Sequence, residues 1–201
     1  MITRRSPKIE CPGFDAAAIV LAGGLSRRMK TDKSFLDMKG MPLISSVVMQ
    51  LKACFPTVII STNNPEKYSF LGLPLVSDNP PHGGPVAGIL AGLKASIYDL
   101  NFVMACDIPV VSRSIIRSLF AGIGDHDGAL PSQGPGLWEP FFALYHKRMI
   151  PVMEDVMRGK DSWMRTVLDA ADVVTVEVDP SLWPNNINTP EEYCTFLRDN
   201  I

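Results

Sequence analysis

Four cations, Arg27, Arg28, Lys30 and Lys33, fall within seven residues just after a Gly23-Gly24 pair. This composition suits a phosphate chain: arginine offers a planar fork of donors, lysine a compact point charge, and the glycines let backbone approach a ligand closely. The residue order matches neither the P-loop pattern GxxxxGK followed by Ser or Thr nor the dinucleotide pattern GxGxxG. Asp107 ends the apolar run Phe102-Val103-Met104-Ala105-Cys106 and precedes Ile108-Pro109. A carboxylate there is costly unless solvated, paired or metal-bound. Opposite a triphosphate its natural partner is Mg²⁺, which takes one or two carboxylates together with phosphate oxygens and water. Asp78 stands in a comparable loop, where it also reads as a plain turn residue before Asn79-Pro80. Gly83-Gly84-Pro85 opens a helix and leaves its first backbone N–H groups accessible.

Residues so far apart need a scaffold that gathers loops. The segment 16–21, Ala-Ala-Ala-Ile-Val-Leu, reads as a buried strand, and Leu43, Ile44, Val47, Val48 and Leu51 follow helical spacing. Val58-Ile59-Ile60 and Leu73-Pro74-Leu75-Val76 read as further strands, and Val86, Ile89, Leu90, Leu93 and Ile97 as one helix face. Residues 102–106 form another strand, followed by a helix through Ile115, Ile116, Leu119 and Phe120 with Ser112 as its N-cap. Apolar strands alternating with amphipathic helices predict a three-layer α/β fold, Rossmann-like, with a mostly parallel sheet covered on both faces. Beyond it, 137–145 reads as a strand, 149–157 as a helix closed by Gly159, and 173–178 as an edge strand. Thr189-Pro190-Glu191-Glu192 carries a capping box, which leaves 185–188, Asn-Asn-Ile-Asn, in the loop before the last helix. In such a sheet ligands gather at the carboxyl ends of the strands. The Gly23-Gly24 loop, Asn63, Asp78 and Asp107 all belong to that end.

Nineteen Lys and Arg against 21 Asp and Glu give a formal charge of −2, which argues against a binder of long nucleic acids. No apolar run approaches the length of a membrane span and the N-terminus lacks a secretory apolar region, so the expected address is the cytoplasm. Cys11, Cys54, Cys106 and Cys194 are widely spaced and are expected to be free thiols. The 201 residues suit a single domain, 15–201, after a tail, 1–14. Met49, Met104, Met149, Met153 and Met157 are expected in the core, and Trp163 and Trp183 as packing aromatics. Trp138 is the better candidate for contact with a flat ring.

At these residues the chain resembles the molybdenum cofactor guanylyltransferases, MobA-type nucleotidyltransferases of the nucleotide-diphospho-sugar transferase-like fold. The resemblance runs through Leu21-Ala22-Gly23-Gly24 with Ser26, Arg28-Met29 and Asp32-Lys33, then Gly40-Met41-Pro42-Leu43-Ile44, Asn63, Asp78 and Gly84-Pro85-Val86-Ala87-Gly88. It continues with Cys106-Asp107-Ile108-Pro109, Glu139-Pro140-Phe141-Phe142-Ala143-Leu144-Tyr145 and Asn186-Ile187-Asn188-Thr189-Pro190-Glu191. It implies that Leu21, Ala22, Gly23 and Gly24 hold a guanine nucleotide and that Arg28 and Lys33 grip its phosphates. Asn63 and Asp78 would contact base or ribose, Gly84 would face the nucleotide, and Asp107 would bind Mg²⁺. Glu139, Pro140, Asn186 and Asn188 would face the pterin. The chain departs from the family in carrying Lys30 where Gly usually follows the Arg-Met pair.

The implied reaction joins GMP from GTP to the terminal phosphate of molybdopterin or the molybdenum cofactor. That phosphate attacks the α-phosphorus in line and expels pyrophosphate, with no covalent protein nucleophile. The attacking phosphate is already ionised near neutral pH, its second pKa being about 6, so His82, His126 and His146 need no catalytic role. Cofactor-inserting proteins or molybdoenzyme chaperones are the protein partners this implies, with no nucleic acid and no membrane. Two relatives of the reaction stay open: transfer from CTP, for which the family resemblance calls for Leu-Ala-Ala-Gly, and transfer to another phosphorylated acceptor. A non-catalytic nucleotide-binding adaptor would be expected to lack Arg28, Lys33 or Asp107.

Overall fold

The structure, a computed structural model, describes residues 13–23, 32–78, 83–159 and 163–199. Its centre is a seven-stranded sheet. In chain order the strands are β1 (Ala17–Leu21), β2 (Thr57–Ser61), β3 (Leu75–Val76), β4 (Leu100–Ala105), β5 (Gly128–Ser132), β6 (Phe142–His146) and β7 (Val173–Glu177). Their spatial order is β3-β2-β1-β4-β6-β5-β7. Only β6 is reversed, pairing antiparallel with β4 and β5, so the sheet is mostly parallel.

Helices cover both faces: α1 (Leu43–Lys52), α2 (Pro65–Tyr68), α3 (Gly84–Ala95), α4 (Arg113–Gly122), α5 (Ile150–Arg158), α6 (Met164–Ala170) and α7 (Pro190–Asp199). The alternation of β1 divides the core. Ala18 and Val20 join Leu43, Val47, Ile115 and Leu119 on one face, while Ala17 and Ile19 join Val86, Ile89, Leu93 and Met153 on the other. That is why β1 is apolar throughout: both its faces are buried. Glycine at 92 permits close approach of α3 to the sheet, since a Cβ there would lie 2.5 Å from Ile19 Cγ2. Packing reaches back to Phe14, whose ring stacks on Phe120 with centroids 4.5 Å apart.

Local signals act as expected at several element ends. Ser112 Oγ accepts from the Ile115 N–H at 3.4 Å, and the box at α7 forms, with the Glu192 N–H on Thr189 Oγ1 and the Thr189 N–H on Glu192 Oε2, both 3.2 Å. Four expectations are corrected. The strand read at 137–145 begins only at Phe142: Leu137 is 60% exposed, and Glu139 accepts the Phe141 N–H at 2.9 Å in the turn that precedes the strand. Ile97 lies beyond α3 and is 83% exposed, because the helix stops at Ala95 before the extended Ser96. Met49 lies on the outer side of α1, and Trp163 stands exposed at the start of α6; neither is core. Cys54, Cys106 and Cys194 are free thiols, as expected; Cys11 lies outside the described residues.

The register sets the next level of order. Leu21 is level with Ser61 on one side and Ala105 on the other, and Ser61 is level with Val76. Four parallel strands therefore end on one row, and the segments that leave them start side by side.

Candidate active site

Above that row lies a cavity of about 440 Å³. Leu21, Ala22 and Gly23 form its floor at the end of β1, Ser61, Thr62 and Asn63 line it from β2, and Asp107 from the turn after β4. Asp78, Gly84 and Gly88 close it from the side of α3. Lys33 and Ser34 reach in from a 3₁₀ turn, Lys33–Phe35. Thus Leu21, Ala22, Gly23, Lys33, Asn63, Asp78, Gly84 and Asp107 converge, as the strand-end rule requires. Gly24, Arg28 and His82 lie outside the described residues.

Each side chain has a local reason for its position. The Asp32 carboxylate caps the 3₁₀ turn by accepting the Ser34 N–H at 3.2 Å, and Lys67 of α2 pairs with its other oxygen at 3.2 Å. This directs Lys33 inward, where Nζ lies 3.0 Å from Asp107 Oδ2 and 2.7 Å from Asn188 Oδ1. An ammonium has three donors, so one remains for a ligand. Asp107 Oδ1 is buried and has no protein partner. Asn63 and Asp78 brace one another, Nδ2 donating to Oδ2 at 2.8 Å and the Asp78 N–H to Asn63 Oδ1 at 3.2 Å. Gly23 has φ +119°, a conformation side-chain-bearing residues rarely adopt, and a Cβ there would lie 3.3 Å from Thr62 Oγ1.

The four residues expected on the pterin side divide. Asn188 belongs to the cation cluster through Lys33, and the Ile187 N–H donates to the Asp107 carbonyl at 2.9 Å, which fastens the 185–188 loop beside the metal candidate. Asn186 Oδ1 is buried without a protein partner. Glu139 and Pro140 sit in the turn before β6, outside the cavity lining; the Tyr145 hydroxyl donates to the Pro140 carbonyl at 2.7 Å. Burial raises the Glu139 carboxyl above its ordinary pKa, the Phe141 N–H opposes this, and the charge of Asp107 adds to it. Trp138 carries the Arg165 guanidinium over its ring, 5.4 Å from the centroid.

Ser34, which the sequence reading passed over, also faces the cavity, as do Ser61, Gly88, Cys106 and Phe141. Ser61 Oγ is buried with no protein partner, and a Cβ at Gly88 would come within 3.0 Å of it. Burial pushes the Cys106 thiol up to about 11 and the Tyr68 hydroxyl behind it up to about 12, so both keep their protons at neutral pH.

The donor set fits Mg²⁺. A single carboxylate with a buried, unpartnered oxygen, facing room for a phosphate chain, is what this ion uses when phosphates and water complete its shell. Among the described residues no cluster of three or more His, Cys, Asp or Glu forms an all-protein metal cage, and no helix is long and apolar enough to cross a membrane.

Residues 18–174 match the MobA-like NTP transferase domain. The chain is 32% identical to a molybdenum cofactor guanylyltransferase of Pseudomonas entomophila, over 86% of this chain and 93% of that one. It is 34% identical to one of Vibrio atlanticus, over 89% and 93%. In fold it is similar to molybdopterin-guanine dinucleotide biosynthesis protein A from Archaeoglobus fulgidus, with a TM-score of 0.78 at 22% identity over 92% of this chain and 98% of that one. The fold is also shared with 2-C-methyl-D-erythritol 4-phosphate cytidylyltransferase from Thermus thermophilus, with a TM-score of 0.69 at 15% identity over 93% and 99%.

Proposed function

We propose, given that this chain belongs to the family of MobA-like NTP transferases, that it transfers GMP from GTP to the terminal phosphate of molybdopterin or the molybdenum cofactor and releases pyrophosphate. The observation that carries this reading is the meeting of Lys33 and Asp107 in a cavity floored by Gly23, with one carboxylate oxygen and one ammonium donor left over. The guanylyltransferase names of the relatives supply the nucleotide and the acceptor.

The chain's own residues would act by position and charge. Lys33, steadied by Asn188, would turn its remaining donor to a phosphate oxygen, and Arg28 would add forked donors from the loop. Asp107 would hold Mg²⁺ on Oδ1 while Oδ2 stays on Lys33. The ion would supply charge neutralisation at the α-phosphoryl oxygens and at the departing pyrophosphate. Leu21, Ala22, Gly23 and Gly24, with Asn63, Asp78 and Gly84, would seat the guanosine. Ser61 joins them because its buried hydroxyl lacks a protein partner. Glu139, Pro140, Asn186 and Asn188 would face the pterin. The conformation of Gly23 supports GTP over CTP, since the alanine expected in a CTP-using relative would be strained there.

The test is incubation with molybdopterin and MgGTP or MgCTP, following pyrophosphate and the dinucleotide product. GTP-dependent product is expected. No product with either nucleotide overturns the reading, and a preference for CTP replaces the donor.

A further inference from the structure

Behind the Lys33–Asp107 pair lies a buried chain of three polar side chains. Ser34 Oγ is 3.0 Å from the Tyr68 hydroxyl and 3.3 Å from Cys106 Sγ, so it can accept from one and donate to the other. Ser34 and Tyr68 are 1% exposed, and Cys106 is 9% exposed. Ser34 directly follows Lys33, and Cys106 directly precedes Asp107. The two dipeptides are thus joined twice, by the ion pair on the cavity side and by the hydroxyl–sulfur contact on the core side.

We propose that the Tyr68–Ser34–Cys106 chain is the device that sets Lys33 for phosphate binding: through their contacts with one another Ser34, Tyr68 and Cys106 are positioning residues that act by way of Lys33 and Asp107. A long lysine side chain loses much rotamer freedom when it is fixed, and two contacts at its tip do not fix its base. Ser34 does so by holding the next residue of the backbone in the core. Buried hydroxyls without partners are costly, so the chain tolerates few alternative arrangements, and its rigidity passes to the adjoining ammonium. Tyr68 brings a third element into the arrangement, because α2 also grips the same turn through Lys67 and Asp32. The inference rests on the proposed reading only in taking Lys33 as a phosphate ligand; it does not depend on which base or acceptor is used.

The probe is inorganic triphosphate with Mg²⁺, compared with guanosine, both by calorimetry on the full chain alongside thermal melts. Ser34→Ala and Tyr68→Phe are expected to weaken triphosphate binding about tenfold, the scale of a lost buried hydrogen bond, with guanosine binding unchanged. Cys106→Ser, which keeps a polar acceptor, is expected to lose less than Cys106→Ala. A purely structural role would instead lower the melting temperature and leave the ratio of the two affinities alone. That result overturns the proposal, as does a wild-type chain that fails to bind triphosphate. Should a variant fail to fold, the Cys106→Ser against Cys106→Ala comparison still decides. Guanylyl transfer, assayed separately, fails or succeeds independently of this ratio.

Discussion

Lys33 Nζ lies 3.0 Å from Asp107 Oδ2 although the residues are 74 positions apart, and their side chains are only 16% and 19% exposed. The pair joins the 3₁₀ turn Lys33–Phe35 to the turn that follows β4. Asp107→Asn keeps the shape, removes the charge and loosens Lys33. The expected outcome is a folded protein whose pyrophosphate release falls at least about a hundredfold, the scale of a lost metal-ion contribution. Turnover near the wild-type rate would remove Asp107 from the metal role.

Gly23→Ala should cost stability and nucleotide binding together. The backbone at φ +119° is strained for alanine, and the new methyl meets Thr62 Oγ1 at 3.3 Å. A loss of about 1–3 kcal/mol is expected in denaturant unfolding, with weaker GTP binding. Gly40→Ala is the control. It has φ +88° but open space around its Cβ, and it lies outside the cavity lining, so only stability should fall. Equal effects of the two on GTP binding would refute the role of Gly23.

Glu139 imposes a pH dependence. Its carboxyl is raised above the ordinary 4.5, first by burial, so the folded state holds the proton more tightly than the unfolded chain. Stability from this group is therefore greatest at low pH and declines as pH rises from about 4.5 through the higher folded value. Glu139→Gln can still accept the Phe141 N–H and should flatten that decline. Unfolding free energies measured from pH 4 to 8, with an unchanged slope in the variant, would rule this out.

Gly92→Ala tests the contact between α3 and the sheet. Its Cβ would fall 2.5 Å from Ile19 Cγ2 and 2.9 Å from Cδ1, in the middle of β1. Overpacking of about 1–3 kcal/mol is expected, a drop in melting temperature of roughly 2–10 °C for a chain of this size. An unchanged melt would mean that α3 shifts freely over β1.

The elements that the sequence reveals are those whose composition follows from burial on both faces. β1, β2 and β4 are nearly pure apolar runs because the sheet is covered above and below. β5 is hidden for a physical reason. Its Gly-Ala-Leu-Pro-Ser includes a proline, which normally argues against an inner strand. Here Pro131 lies past the last β6 partner, Ala129, and its ladder partner is Val176 of β7. Gly23, Lys33 and Asp107 are legible as cavity residues because a glycine pair and charged side chains beside the ends of buried strands are unusual. Ser34 and Tyr68 are not, since single hydroxyls acquire meaning only from neighbours far away in sequence. Asn188 was visible as a loop residue, yet its contact with Lys33 spans 155 positions and leaves no local trace.

The common row of Leu21, Ser61, Val76 and Ala105 makes the two rims of the sheet unequal in the face of length changes. Each strand residue advances the chain about 3.3 Å and turns its side chain to the opposite face. One codon added within β4 would carry Asp107 out of reach of Lys33, or invert it. The turns at the opposite rim, such as 96–99 and 123–127, set no such distance between cavity residues. Insertions and deletions should therefore be absorbed at that rim, leaving the cavity rim nearly fixed in residue count while the rest of the protein is free to drift in length.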